Sequence, residues 1–132
     1  MGADPVEYLD PEDLVALTVA LLGDPPPLRD VGLLAAAAAR PRTRVFGEDA
    51  YPDLWSKAGA LMQSIVNGHP LVDGNKRLGW LATATFLELN GISVTDVSND
   101  DVHDFVVHVA AGRDDVDQIA AMLASLVATG QT

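Results

Sequence analysis

The chain has no cysteine, which excludes disulfides, thiolate metal sites and thiol catalysis and fits a reducing, cytoplasmic setting. It is also short of basic residues: 8 Lys and Arg against 19 Asp and Glu leave a formal net charge of -11. A surface of that sign argues against direct binding of nucleic acid, whose phosphates want a basic face. No apolar run is long enough to cross a bilayer, so no membrane association is expected. The acidic start of the chain, through Glu7 and Tyr8, lacks the basic-then-apolar order of a signal peptide. No internal repeat, low-complexity tract or linker breaks the sequence.

What is present is 132 residues, 48% of them hydrophobic, enough for one domain (1–132) around a single sizeable core. The charge is unevenly spread. Residues 29–77 hold seven of the eight basic residues against five acidic ones, while the rest of the chain holds one basic and 14 acidic residues. An acidic body with one mildly basic band suits a compact anion such as a nucleotide better than a long polyanion. The alternatives are chance clustering in a short chain and an acidic body that simply provides solubility.

Local signals predict an all-α bundle of about six helices. Asp10 followed by Pro11 starts a helix whose stripe is Leu14, Leu17 and Leu21, with Gly23 as its stop. Asp30 caps a second helix over 31–39, halted by Pro41. Residues 42–51 lack a helical period and read as a loop with a short extended piece at 43–46. Pro52 opens a third helix with Leu54, Ala58, Leu61, Met62, Ile65 and Val66 on one face, stopped by Asn67-Gly68 and Pro70. A fourth, over about 75–90, is apolar nearly all round and is expected at the centre of the bundle. Ile92–Val94 could form a three-residue strand. Ser98 or Asn99 caps a fifth helix, and Asp114 begins the sixth.

Between the third and fourth helices lies His69-Pro-Leu-Val-Asp-Gly-Asn-Lys-Arg77, a collection a packed core has no use for. The first N–H groups of a helix have no internal partners, and the helix dipole favours an anion there. Gly74 lets a phosphate approach the backbone, and Lys76 and Arg77 sit in the first turn, where cations oppose the dipole unless a polyphosphate is bound. Asp73 is a candidate magnesium (Mg2+) ligand, and His69 a candidate proton acceptor near neutral pH. The competing explanation is a polar helix–loop–helix turn in which His69 caps one helix and Asp73 the next. A P-loop is excluded, since the glycine-rich pattern and preceding strand are missing.

Residues 69–77 closely resemble the signature of the Fic/Doc family, roughly His-x-Phe-x-Asp/Glu-Gly/Ala-Asn-Gly/Lys-Arg. The likeness extends upstream through 28–34, 39–42, Phe46-Gly47 and Tyr51-Pro52, and it implies a single Fic/Doc-like domain with its core at about 8–128. Lys76 replaces the second glycine of adenylyl-transferring members and looks like the Doc (death-on-curing) branch. That resemblance implies a toxin of a toxin–antitoxin pair. Such a toxin moves phosphate from ATP to a threonine of elongation factor Tu, blocks translation, and is restrained by the flexible C-terminal segment of an antitoxin. It also implies roles: His69 as general base; Asp73 on magnesium or orienting the phosphates; backbone N–H groups of Gly74, Asn75 and Lys76 as an anion hole, assisted by the Asn75 side chain; Lys76 and Arg77 on phosphate, stabilising charge that grows in transfer; and 43–51 as a flap for the target strand. Adenylyl transfer and a non-catalytic antitoxin- or nucleotide-binding module are the alternatives. Leu71 stands where the family has phenylalanine, with an expected effect on packing, and Gly74 is the choice of the adenylyl-transferring members. His103 and His108, five residues apart, are expected at the surface or in packing, Trp55 and Trp80 in the core, and Arg29, Arg40, Arg42 and Arg44 on a solvated face or against a ligand.

Overall fold

In the computed structural model, which describes residues 5–131, helix starts follow short-range chemistry. The acidic N-terminal segment read above begins with residues 1–4, which lie outside the described residues. For α1 (Pro11–Leu22), Asp10 accepts from the Asp13 N–H at 2.9 Å and the Asp13 carboxylate accepts from the Asp10 N–H at 3.0 Å. The second helix, α2 (Val31–Ala39), is capped by Asp30, which accepts from Leu33 N–H. Pro41 ends the α-helical hydrogen bonding but not the turn, since Arg40–Arg42 continue as one turn of 3-10 helix.

A hairpin of β1 (Arg44–Val45) and β2 (Glu48–Asp49) follows, with Arg44 opposite Asp49 and Val45 opposite Glu48. Then come α3 (Leu54–Val66), α4 (Asn75–Leu89), α5 (Asn99–Ala110) and α6 (Val116–Gly130). The all-helical architecture of six helices is thus as the sequence predicts, and the extended piece at 43–46 is one arm of the hairpin.

Four local expectations are corrected. Pro52 does not open α3; Asp53 caps it, in a reciprocal pair with Ser56. The cap of α6 is Asp115, paired reciprocally with Gln118, and Asp114 instead faces His108 at 3.0 Å. Ile92–Val94 forms no strand: Ile92 N–H donates to Leu87 O and Val94 N–H to the Glu88 carboxylate, so this segment seals the end of α4. Finally, α3 rather than α4 is the hub. Every residue from Ser56 to Met62 is buried, and α3 packs against α2, α4, α5 and α6.

Small residues explain that exchange. A Cβ on Gly59 would lie 3.1 Å from Val116 O, so glycine lets the backbone of α6 cross close to α3. A Cβ on Gly79 would lie 2.4 Å from Val66 Cγ2, so glycine likewise brings α4 against α3. The wide apolar face of α4 is only partly covered; Trp80 and Leu81 are half-buried and Leu89 is exposed. Trp55 and Trp80 pack on the edge of the core, Trp80 edge-on to Phe105. Among the described residues no helix is long and apolar enough to cross a membrane.

Candidate active site

The segment between α3 and α4 is held from three sides. From below, Leu71 is 1% exposed and anchors the loop in the core. From one flank, residues 27–30 run beside it. Arg29 and Asp30 N–H both donate to Pro70 O (2.8 and 3.0 Å), Val72 N–H donates to Pro27 O (2.8 Å), and Leu28 bridges Leu71 antiparallel. The Arg29 guanidinium adds two bonds, Nε to His69 O at 2.7 Å and Nη2 to Gly68 O at 3.2 Å. From within, the Asn75 side chain closes a ring: its Oδ1 accepts from Leu71 N–H at 2.9 Å and its Nδ2 donates to Leu71 O at 3.0 Å.

This bracing holds two uncommon backbone conformations. His69 sits at φ 57, a left-handed conformation that costs a non-glycine residue energy and persists only where its surroundings enforce it. Gly74 sits at φ 89, and a Cβ there would also come within 2.6 Å of Leu22 Cδ1. Glycine at 74 therefore answers to backbone and packing, independently of any ligand.

The start of α4 differs from that of the other helices. Among the described residues the other five α-helices have a side-chain oxygen on their first N–H groups, whereas α4 begins at Gly74 with none. Asp73 does not cap the helix; its Oδ1 accepts from its neighbour Gly74 N–H at 2.8 Å. That contact removes Gly74 N–H from the expected anion hole. The N–H groups left without a partner among the described residues are those of Asn75, Lys76 and Arg77. The Asn75 side chain is also turned inward, 8% exposed, so toward an anion at the helix end this residue offers its backbone N–H. Lys76 and Arg77 are exposed and form no ion pair or side-chain hydrogen bond among the described residues.

His69 lies at the other side of this helix end, exposed, with Nδ1 3.4 Å from Asn75 Nδ2. Sequence position thus brings His69, Asp73, Gly74, Asn75, Lys76 and Arg77 around one helix terminus. The arrangement can hold an anion on uncapped N–H groups and two cations, with an imidazole near enough to handle a proton. Beyond Lys76 and Arg77 a mainly apolar groove of about 390 Å³ runs between α4 and α5, walled by Leu21, Trp80, Val102 and Val106, with exposed His103 at its rim.

A family model described as the Fic/DOC family matches residues 8–87.

The chain belongs to the Fic/DOC family.

The matched stretch takes in the Arg29 brace, the motif loop and nearly all of α4. A relative from Mycolicibacterium smegmatis named Toxin Doc is 48% identical over 127 residues, 96% of this chain and 98% of that protein, so this likeness includes α5 and α6.

Each of the four arginines weighed in the sequence has a partner within the chain, and Arg29, Arg42 and Arg44 are also exposed. Arg29 braces the motif. Arg40 donates to Tyr51 Oη, Gln63 and Ser64, Arg42 lies over the Tyr8 ring, and Arg44 bonds Gly47 O and Asp49. Arg40 and the buried Lys57, which contacts Asp49 and Tyr51 O, tie the hairpin to α3, while the hairpin tip presents Phe46 fully exposed. Arg29 is the brace of the candidate site that spacing alone could not find. Its partners are about forty positions away, and the upstream resemblance included it without a role.

Proposed function

We propose that this protein is the toxin of a toxin–antitoxin pair and acts as a kinase, transferring the γ-phosphate of ATP to a hydroxyl side chain of a translation factor. A threonine of elongation factor Tu is the target class the Doc-like motif suggests. The observation that carries the reading is the start of α4: among the described residues, three N–H groups without partners and two unpaired cations stand at one end of a loop, with His69 at the other. The name of the Mycolicibacterium smegmatis relative supports the toxin assignment, and Lys76 in place of a glycine supports phosphate over adenylyl transfer.

In this reading the residues divide the work as follows. The N–H groups of Asn75, Lys76 and Arg77 and the two cationic side chains bind the polyphosphate and hold charge that grows on it during transfer. His69 takes the proton of the target hydroxyl as its oxygen bonds to the γ-phosphorus; the bond from that phosphorus to the β–γ bridging oxygen breaks, and ADP leaves. Asp73 keeps one carboxylate oxygen clear of its contact with Gly74, so it fits a magnesium ion shared with phosphate oxygens and water. When bound, magnesium would neutralise phosphate charge. The exposed hairpin, Phe46 at its tip, serves as the docking edge for the target strand. An antitoxin segment folding into the apolar α4–α5 groove would end on Lys76 and Arg77 and compete with ATP.

Incubation with ATP, magnesium and elongation factor Tu, followed by mass spectrometry, tests the reaction. A gain of one phosphate supports it, whereas a gain of AMP makes the protein an adenylyltransferase. If expression of His69→Ala still arrests growth, this site is not the mechanism and the protein acts by binding.

A further inference from the structure

We infer that Asn75 is a positioning residue that selects the tautomer of His69. An amide's oxygen and nitrogen ends are told apart by their partners, and here both partners belong to one backbone unit. Leu71 N–H can only donate, so the atom 2.9 Å from it is the Asn75 oxygen; Leu71 C=O can only accept, so the atom 3.0 Å from it is the Asn75 nitrogen. The orientation of the amide is therefore settled without reference to the histidine. Its second N–H lies toward His69 Nδ1, at 3.4 Å. An N–H facing that nitrogen requires a lone pair there, so the neutral imidazole carries its proton on Nε2.

The backbone reinforces this choice. Arg29 and the contact from His69 N–H to Ile65 O (3.3 Å) hold His69 in its left-handed conformation, which limits where the ring can reach. Asn75 is 8% exposed and anchored at both ends of its amide, whereas His69 is exposed and otherwise without a hydrogen-bond partner for its ring among the described residues. The rigid member of the pair is the asparagine, and the histidine adapts to it.

The consequence for catalysis rests on the proton-acceptor role proposed above, although the tautomer itself does not. In the free protein the lone pair of His69 is covered by an amide N–H. The incoming hydroxyl must displace that N–H, or the ring must turn, before the proton can move to the imidazole. The long 3.4 Å contact makes this displacement easy, so Asn75 defines the resting state without locking it.

The test is long-range 1H–15N correlation NMR of the full-length protein without nucleotide, at a pH where the imidazole is neutral, with the His69 signals assigned by His69→Gln. The expected result is Nδ1 with a pyridine-type shift and Nε2 with a pyrrole-type shift, more fully separated than in the same protein unfolded in urea. Asn75→Ala removes that N–H and is expected to bring the two shifts to the separation seen in urea. A pyrrole-type Nδ1 in the unsubstituted protein overturns the inference, as do shifts no more separated than in urea, or shifts unchanged in a folded Asn75→Ala. If Asn75→Ala does not fold, the comparison of native with unfolded protein still decides it. The phosphate-transfer assay reads the catalytic role separately, so a failed kinase reading leaves the tautomer result standing.

Discussion

Arg29 Nε donates to the carbonyl of His69 at 2.7 Å, so the conformation of the motif's histidine is set by a residue 40 positions upstream. The same guanidinium reaches Gly68 O, and the adjoining backbone holds Pro70 O. A side chain that sequence reasoning could only assign to solvent or to a ligand instead shapes the loop that carries the candidate site.

Replacing Arg29 tests that relationship. Arg29→Ala removes two charge-assisted bonds to an exposed loop and is expected to cost about 1–2 kcal/mol in urea unfolding. Phosphate transfer should fall at least tenfold under conditions where the variant remains folded. Arg29→Lys should restore little, since an ammonium cannot span both carbonyls as the planar fork does. Full transfer activity in a folded Arg29→Ala would show that the loop holds its shape without the brace.

The cations of α4 should show opposite signs in two assays. Lys76→Ala and Arg77→Ala each remove a charge that opposes the helix dipole and makes no ion pair among the described residues. Stability is expected to stay level or rise by about 0.3–1 kcal/mol at low salt, while ATP binding by calorimetry weakens. Loss of stability without loss of ATP binding would make these residues structural.

Gly74→Ala should destabilise for two separable reasons. The left-handed backbone costs roughly 1–2 kcal/mol, and the methyl group meets Leu22 at 2.6 Å. Trimming Leu22 to alanine should relieve the second cost and leave the first, so a double-mutant cycle is expected to give a favourable coupling. Simple additivity would mean that Leu22 moves aside freely.

The hairpin tether can be probed at Lys57, which is 2% exposed and contacts Asp49 and Tyr51 O. Lys57→Met keeps the stem's volume and removes the buried charge, leaving Asp49 with access to water. Global stability is expected to change by about 1 kcal/mol or less. Hydrogen exchange at Ala50 N–H, which donates to Thr43 O, should accelerate selectively. Unchanged exchange there would place the hairpin's anchorage elsewhere, on Arg40 and Tyr51.

The sequence by itself determined the helices and the contents of the motif loop. Caps such as Asp10, Asp30 and Ser98 and the Asn67–Pro70 stop act over one turn, so their partners are already neighbours in the chain. The residues from His69 to Arg77 were likewise bound to meet at one helix end, because the chain between them is short. Tertiary structure alone decided which helix is the hub, where Arg29 points and which way the amide of Asn75 faces. Each of these depends on a close approach or on a partner whose identity the spacing does not encode: Gly59 beneath α6, the carbonyls of Gly68 and His69 beside Arg29, the backbone of Leu71 on both atoms of Asn75. Local hydrogen-bonding rules place a helix end, but only packing between distant segments fixes the directions of the groups around it.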